Sequence, residues 1–207
     1  MPRLSEVSRA DAPQGIVTTM YDFIFGDRDP VAEPGLANGT SGNWWTVAAH
    51  DPDFLEHCVG GFAYYQSPKR HLRPDLREIA QARVGWASGS RFVFSQHIKA
   101  GRDKGVSEEK LKAIPHWSTA ECFDATERAI LAWVDVLVLQ RGRAHEGSFE
   151  ALREHLSELE ILELTYISCL YDLHAVMSKA LRLELDDVDD PVTELTGEGI
   201  SEGLSLG

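Results

Sequence analysis

The sequence has no hydrophobic run that could cross a membrane, and it lacks the opening pattern of a secreted protein. No apolar stretch approaches the roughly 20 residues that a transmembrane helix needs. The first 15 residues, MPRLSEVSRADAPQG, contain no apolar core of a secretory signal. We therefore expect a cytoplasmic protein with no membrane partner.

Cysteine is scarce, and no two cysteines form a Cys-x-x-Cys pair. Cys58, Cys122 and Cys169 are far apart in the chain, which predicts neither a disulfide framework nor a zinc cluster. Eight histidines are present, yet none belongs to a His-Glu-x-x-His or Glu-x-x-His motif. We expect buried, reduced thiols, no metal and no cofactor.

Basic residues are too few for a nucleic-acid-binding surface. The chain has 20 Lys and Arg against 33 Asp and Glu, a net charge of −13. A protein that binds nucleic acid needs a basic face, so we expect no such partner. Residues 186–207 contain seven acidic residues and no basic one, which is typical of a solvated terminal tail.

Strand-like alternation of polar and apolar residues is also missing, whereas helical periodicity runs through most of the chain. Capping boxes at Asp124–Glu127 and Ser157–Glu160 predict two helix starts, and Ser148 predicts another between them. The helix after Ser157 is expected to be the longest, over about residues 158–183. The sequence therefore predicts an all-α fold.

The regions before and after the helical part differ from it in composition. Residues 1–15 read as frayed, a short helix is expected over 18–25, and a linker rich in Gly and Pro follows it. We predict three parts: an N-terminal arm and linker (1–42), a helical domain (43–185) and an acidic tail (186–207).

One stretch, EIAQARVGWASGSRFVFSQH, combines helical periodicity with a central break and two ionisable ends. Ser88-Gly89-Ser90 predicts the end of one helix and the capped start of the next. In a single helix Glu78 and His97 would lie roughly 28 Å apart. In a hairpin they come level on facing helices whose axes are roughly 8–10 Å apart, within side-chain reach. We predict this helix-turn-helix hairpin at the centre of the fold.

The order of helices from about Asn43 to Leu185 resembles the carboxymuconolactone decarboxylase and alkyl hydroperoxidase D family. The resemblance is densest over LREIAQARVGWASGSRFVFSQHIKAGRDKGVSEEKL. The peroxidase branch of that family has Glu, eleven residues, Cys, two residues, Cys, three residues and His. In this chain Glu78 and His97 occupy the outer positions, while Ser90 and Val93 stand where the two cysteines would be.

The resemblance implies a helical bundle of the alkyl hydroperoxidase D type, a small-molecule substrate and a homo-oligomer. Peroxidase chemistry needs a thiolate at the helix start and a second thiol to resolve it, and Ser90 and Val93 supply neither. The favoured function is thus a cofactor-free acid–base enzyme, similar to the decarboxylase branch, that acts on a small carboxylated or carbonyl substrate. Lactone or isomerase-type chemistry, a peroxiredoxin-type oxidoreductase and a non-catalytic helical oligomer remain alternatives.

Six residues are candidates for the site. Glu78 and His97 form either a structural hydrogen bond between helices or a proton relay in which Glu78 orients His97. Arg83 either binds a substrate carboxylate or closes an internal ion pair with Glu78 or Glu121. The remaining candidates for substrate contact, each with a structural alternative as a cap or a core residue, are Ser90, Tyr171 and His174.

Overall fold

The computed structural model describes residues 1–187, and in that range the chain is helical with no strand. Its α-helices are α1 (Ile16–Phe25), α2 (Asn43–Ala48), α3 (Pro52–Gln66), α4 (Pro74–Ala87), α5 (Arg91–Asp103), α6 (Glu108–Ala113), α7 (Ala125–Val138), α8 (Glu146–Arg153) and α9 (Glu158–Leu181). Short 3-10 turns cover Ile114–His116 and Glu184–Asp186. The predicted all-α fold is confirmed.

Most predicted helix starts agree with the structure, with two exceptions, of which the first is α1, which begins at Ile16 and not at residue 18. The capping box of Asp124 and Glu127 is present, and α9 is the longest helix of the described residues. The prediction that Ser148 starts a helix is wrong: α8 begins at Glu146, and His145 is its N-cap residue. Ser148 lies inside the first turn instead, where serine is tolerated although it is a better cap.

The chain divides into two compact units, one formed by Met1–Ser67 with the stretch from Met177, the other by Pro68–Val176. The division at residues 42 and 185 stays a prediction. Most of the predicted acidic tail, residues 188–207, lies outside the described residues.

In the first unit, residues 1–15 are held by hydrogen bonds, so the prediction that they are frayed is wrong. The Val7 amide donates to the Thr46 carbonyl at 3.0 Å, and the Tyr21 hydroxyl donates to the Val7 carbonyl at 2.8 Å. The Glu184 carboxylate accepts from the backbone amides of Gly42 and Trp44 at 3.0 and 2.9 Å. These long-range bonds have no local sequence signature, which is why periodicity alone did not indicate them.

In the second unit, α4 lies against α7 through an apolar face. Leu76, Ala80 and Val84 recur at helical spacing on α4 and are buried with Ile130 and Val134 of α7. The same cluster includes residues from α8 and α9, so four helices of this unit contribute to one core. Because α4 is buried along nearly its whole length, its polar residues are buried too.

The hairpin of α4 and α5 is confirmed. Gly89 has a φ of 63°, a conformation that favours glycine, and lets the chain reverse. The Ser90 hydroxyl then accepts from the Val93 amide at 3.2 Å and caps α5. A Cβ atom at Gly85 would overlap the backbone nitrogen of Phe94, so the two helices touch here with no side chain between them. This close approach sets the spacing at which Glu78 and His97 meet.

Candidate functional site

Glu78 and His97 form a buried hydrogen-bonded pair. The distance between Glu78 Oε2 and His97 Nδ1 is 2.8 Å, and each residue is only 4% exposed. An ionised carboxylate can only accept, so an ionised Glu78 takes its hydrogen bond from a proton on Nδ1 of His97. In that tautomer a neutral imidazole has its lone pair on Nε2, which is the arrangement of an oriented base.

Gly101 of α5 lies beside Glu78 and beside Leu111 of α6. Gly101 follows His97 by four residues and therefore lies on the same side of α5. A Cβ atom at Gly101 would lie 3.7 Å from Glu78 Cβ. That is an ordinary contact, whereas the same Cβ atom would lie only 2.9 Å from Leu111 Cδ2, so the glycine gives room to Leu111 of α6.

Helix α9 brings Tyr171 to His97, and His174 of the same helix lies beside Tyr171. The ring centroids of His97 and Tyr171 are 4.4 Å apart, with the rings at 87° to each other. Tyr171 and His174 are 6.1 Å apart between centroids, and His174 is 3% exposed. Burial, with a smaller contribution from the charge of Glu78, raises the pKa of Tyr171 above its usual 10.0. The phenol therefore stays protonated at neutral pH and can donate a hydrogen bond.

Ser90 and Val93, at the two cysteine positions of the motif, are buried. The Ser90 hydroxyl caps α5, as predicted; a contact with substrate stays a prediction. Neither side chain can form a thiolate at this helix start.

Arg83 is held by other groups than those expected. Its Nε and Nη2 atoms donate to the two carboxylate oxygens of Asp135 at 2.7 and 3.0 Å. Its Nη1 atom donates to the Ile114 and Pro115 carbonyls, both at 3.1 Å. The expected ion-pair partners, Glu78 and Glu121, were therefore wrong. This geometry gives Arg83 a structural role between α4, α7 and the 3-10 turn.

Gln81 is a polar residue of this region that the sequence reasoning missed. Gln81 follows Glu78 by three residues on α4, so the two side chains leave the helix on nearly the same side. Gln81 is 0% exposed. Within the described part of the chain, neither its amide nitrogen nor its amide oxygen has a hydrogen-bond partner. A buried polar group without a partner is costly, and such groups are found at functional sites. Its spacing of three residues from Glu78 is the sequence signal that could have indicated a polar residue beside the pair.

The expectation of buried thiols is right for Cys58 and wrong for Cys122, which is half-buried, and for Cys169, which is exposed. All three thiols are nevertheless poor candidates for redox chemistry. Burial raises the pKa of Cys58 to about 11. Burial also raises the pKa values of Cys122 and Cys169, with further contributions from the charges of Glu109 and Asp172, respectively. Since the thiolate is the reactive form, each of these residues is less reactive than an ordinary cysteine at neutral pH.

Two further features of residues 1–187 bear on the site. No three side chains of the types that bind metals come together there. In that same range, each helix is too short or too polar to span a bilayer.

Comparison with solved structures shows the same fold in other proteins. A cysteine-to-alanine variant of the debrominase Bmp8, in complex with 2,3,4-tribromopyrrole, has a TM-score of 0.68 at 17% identity and covers 97% of this chain and 96% of its own. A protein of unknown function from Agrobacterium tumefaciens has a TM-score of 0.59 at 23% identity, over 65% of this chain and 92% of its own. These likenesses establish the fold.

A third structure is an alkylhydroperoxidase AhpD core, an uncharacterized peroxidase-related protein from Ralstonia eutropha. Its TM-score is 0.65 at 17% identity, over 87% of this chain and 93% of its own. No functionally curated protein matches the chain. Residues 52–136, which include the whole hairpin, match the carboxymuconolactone decarboxylase family. Over this region the chain is similar to the carboxymuconolactone decarboxylase family, with Ser90 and Val93 where the peroxidase branch has its two motif cysteines.

Proposed function

We propose that this protein is a cofactor-free acid–base enzyme that acts on a small carboxylated or carbonyl substrate. The observation that carries the proposal is the buried hydrogen bond between Glu78 Oε2 and His97 Nδ1. A carboxylate that accepts from one ring nitrogen orients the imidazole and raises the basicity of the other. His97 would exchange the proton through Nε2, and Glu78 would be its positioning residue.

In the favoured reaction, the bond between a carboxylate and the substrate carbon breaks and carbon dioxide leaves. The electron pair moves into a conjugated lactone carbonyl. His97, which has first taken a proton from solvent on Nε2, gives that proton to the carbon and returns to the neutral imidazole. Donors near the carbonyl oxygen would stabilise the negative charge that develops there. Tyr171, protonated beside His97, and the unpartnered amide of Gln81 are the donors that we assign to this role.

The ligand of a related fold supports a small unsaturated ring as substrate. The debrominase Bmp8, which covers nearly the whole chain, was crystallised with a tribromopyrrole. Pyrrole and the unsaturated lactone are both five-membered rings. Isomerisation or lactone chemistry uses the same proton transfer and stays an alternative to decarboxylation.

A peroxidase of the alkyl hydroperoxidase type is the second candidate, because the fold is shared with peroxidase-related proteins. The motif argues against it, since Ser90 and Val93 cannot form the thiolate and disulfide that reduce a peroxide. A thiol-dependent peroxide assay on wild type and on Cys58→Ser, Cys122→Ser and Cys169→Ser tests this. Rapid turnover that a single one of these changes abolishes would establish the redox function instead.

Glu78→Gln and His97→Ala test the acid–base proposal, with carboxymuconolactone and related unsaturated lactones as probes. Positioned proton transfer contributes about 10²–10⁴-fold, so we expect kcat to fall by that factor in His97→Ala. Loss of an orienting partner typically costs about 10–100-fold, which we expect for Glu78→Gln. His155→Ala, an exposed histidine in the same unit, is the matched control and should leave kcat unchanged.

Circular dichroism and thermal unfolding of both variants show whether the hairpin still folds. Equal turnover in wild type and in a folded His97→Ala would overturn the proposal. If no variant changes turnover or ligand affinity for any probe, the protein is a non-catalytic helical oligomer.

A further inference from the structure

The outer face of α9 is apolar, although it is exposed. Leu159, Leu162, Tyr166, Leu173 and Val176 are 43–64% exposed, and Cys169 is exposed among them. From residue 159 to residue 176 no other position of the helix is exposed, and none of the six side chains is charged. We call these six residues the α9 stripe. Single exposed apolar residues are ordinary, whereas a continuous row indicates an interaction surface.

The spacing of the stripe is that of a coiled-coil seam. Its members follow one another at intervals of three, four, three, four and three residues. A repeat that alternates in this way keeps one narrow face of a helix toward a partner helix. The opposite face of α9 carries Leu164, Ile167 and Ala175, each fully buried, so the stripe is additional to the face that packs in the core. At 1.5 Å per residue the stripe is roughly 26 Å long.

The register of the stripe fits a second copy of the same helix running in the opposite direction. When two such helices are related by a two-fold axis between residues 167 and 168, Leu159 faces Val176, Leu162 faces Leu173, and Tyr166 faces Cys169. Each a position then meets a d position, which is the pairing of an antiparallel coiled coil. A two-fold interface must be complementary to itself. The α9 stripe meets this condition, because each of its apolar residues faces another member of the same stripe.

Charge supports the same occupant. The chain has a net charge of −13, so two copies repel each other across most of their surfaces. The stripe itself is uncharged, and at each end the antiparallel register brings Glu158 of one copy level with Met177 of the other, two residues from Lys179. In a parallel pair each charged residue would instead lie level with the identical residue of the other copy, so like charges would face each other.

We propose that the α9 stripe is the interface of a two-fold symmetric homodimer in which two α9 helices pack antiparallel. The proposal does not depend on the acid–base function. Tyr171 and His174 lie on the same helix but outside the stripe, so the dimer leaves each candidate site within one copy.

Disulfide trapping tests both the interface and its direction. Two variants, Leu159→Cys and Val176→Cys, are made in a Cys169→Ser background, purified separately, mixed and oxidised. In the antiparallel register position 159 of one copy faces position 176 of the other, so we expect a covalent dimer in the mixture only. Two residues 159 would be roughly 26 Å apart in that dimer, too far for a disulfide.

Covalent dimers in each variant alone, with none specific to the mixture, would establish a parallel pair and overturn the proposal.

Sedimentation supplies a second measurement. We expect wild type at high concentration to sediment at twice the 23.0 kDa chain mass, and Leu162→Glu to sediment as a monomer. Phe23→Glu is the matched control, because Phe23 is 84% exposed yet lies on α1. A wild-type protein that stays monomeric, or a dimer lost in Phe23→Glu and kept in Leu162→Glu, contradicts the α9 stripe as the interface.

Discussion

At the scale of single residues, Glu78 and Arg83 differ in the side of α4 on which they lie. They are five residues apart, so their side chains are about 140° apart around the helix axis. Glu78 therefore meets His97 of α5, while Arg83 meets Asp135 of α7. Closeness in sequence to a predicted site residue therefore does not by itself place a charged residue in that site.

Removing the Arg83 side chain tests its structural role. In Arg83→Met the Asp135 carboxylate loses both of its bonds to the guanidinium, and we expect the free energy of unfolding to fall by about 3 kcal/mol. The double variant Arg83→Met, Asp135→Leu removes the unpaired charge as well and should recover much of that loss. Denaturant unfolding measures both. A raised KM in Arg83→Met at unchanged stability would instead return Arg83 to the substrate site.

Tyr171 makes stability depend on pH in the alkaline range. Burial raises its pKa in the folded state above the usual 10.0, so between pH 10 and that higher value the unfolded chain has lost a proton that the folded chain keeps. The free energy of unfolding then falls as pH rises, with a slope of at most about 1.4 kcal/mol per pH unit for one group. Below pH 10 this contribution is constant.

We expect Tyr171→Phe to have a shallower loss of stability above pH 10 than wild type. Tyr21, whose pKa burial also raises, contributes the part that remains. Chemical unfolding measured from pH 8 upward compares the two proteins. Identical slopes would show that Tyr171 ionises alike in the folded and unfolded states.

At the scale of elements, the α4–α5 hairpin depends on one position without a side chain. Gly85 lies against the backbone of Phe94, and a backbone cannot move aside as a flexible side chain can. In Gly85→Ala we expect the helices to separate, with a loss of about 1–3 kcal/mol and a lower kcat as Glu78 and His97 move apart. Gly60→Ala in α3, where an added Cβ meets nothing within 4 Å, is the control and should gain up to about 1 kcal/mol.

The hairpin was also the element that sequence reasoning predicted best. The turn at Ser88-Gly89-Ser90, the cap at Ser90 and the level positions of Glu78 and His97 all follow from local rules, and the structure confirms each of them. The Asp135 partner of Arg83 and the buried amide of Gln81 depend on which helices lie beside α4. Helical periodicity gives the direction of a side chain but not its neighbour.

At the scale of the whole molecule, contacts between distant parts of the chain were the least predictable. The N-terminal residues were expected to be frayed, yet Val7 bonds to Thr46, and Glu184 caps the start of α2 from about 140 residues away. The backbone amides of Gly42 and Trp44 point toward that carboxylate, where the partial charge of a helix start favours an anion. Such a bond joins two segments whose sequences carry no shared signal.

The edge-on contact between His97 and Tyr171 has a consequence for magnetic measurements. Protons at the edge of one aromatic ring lie over the face of the other, where the circulating π electrons shift their resonances to low frequency. A shifted imidazole signal in the proton spectrum would thus report, without any added label, whether α5 and α9 are in register. The same signal would move when a ligand separates the two rings, so binding can be followed before any substrate is known.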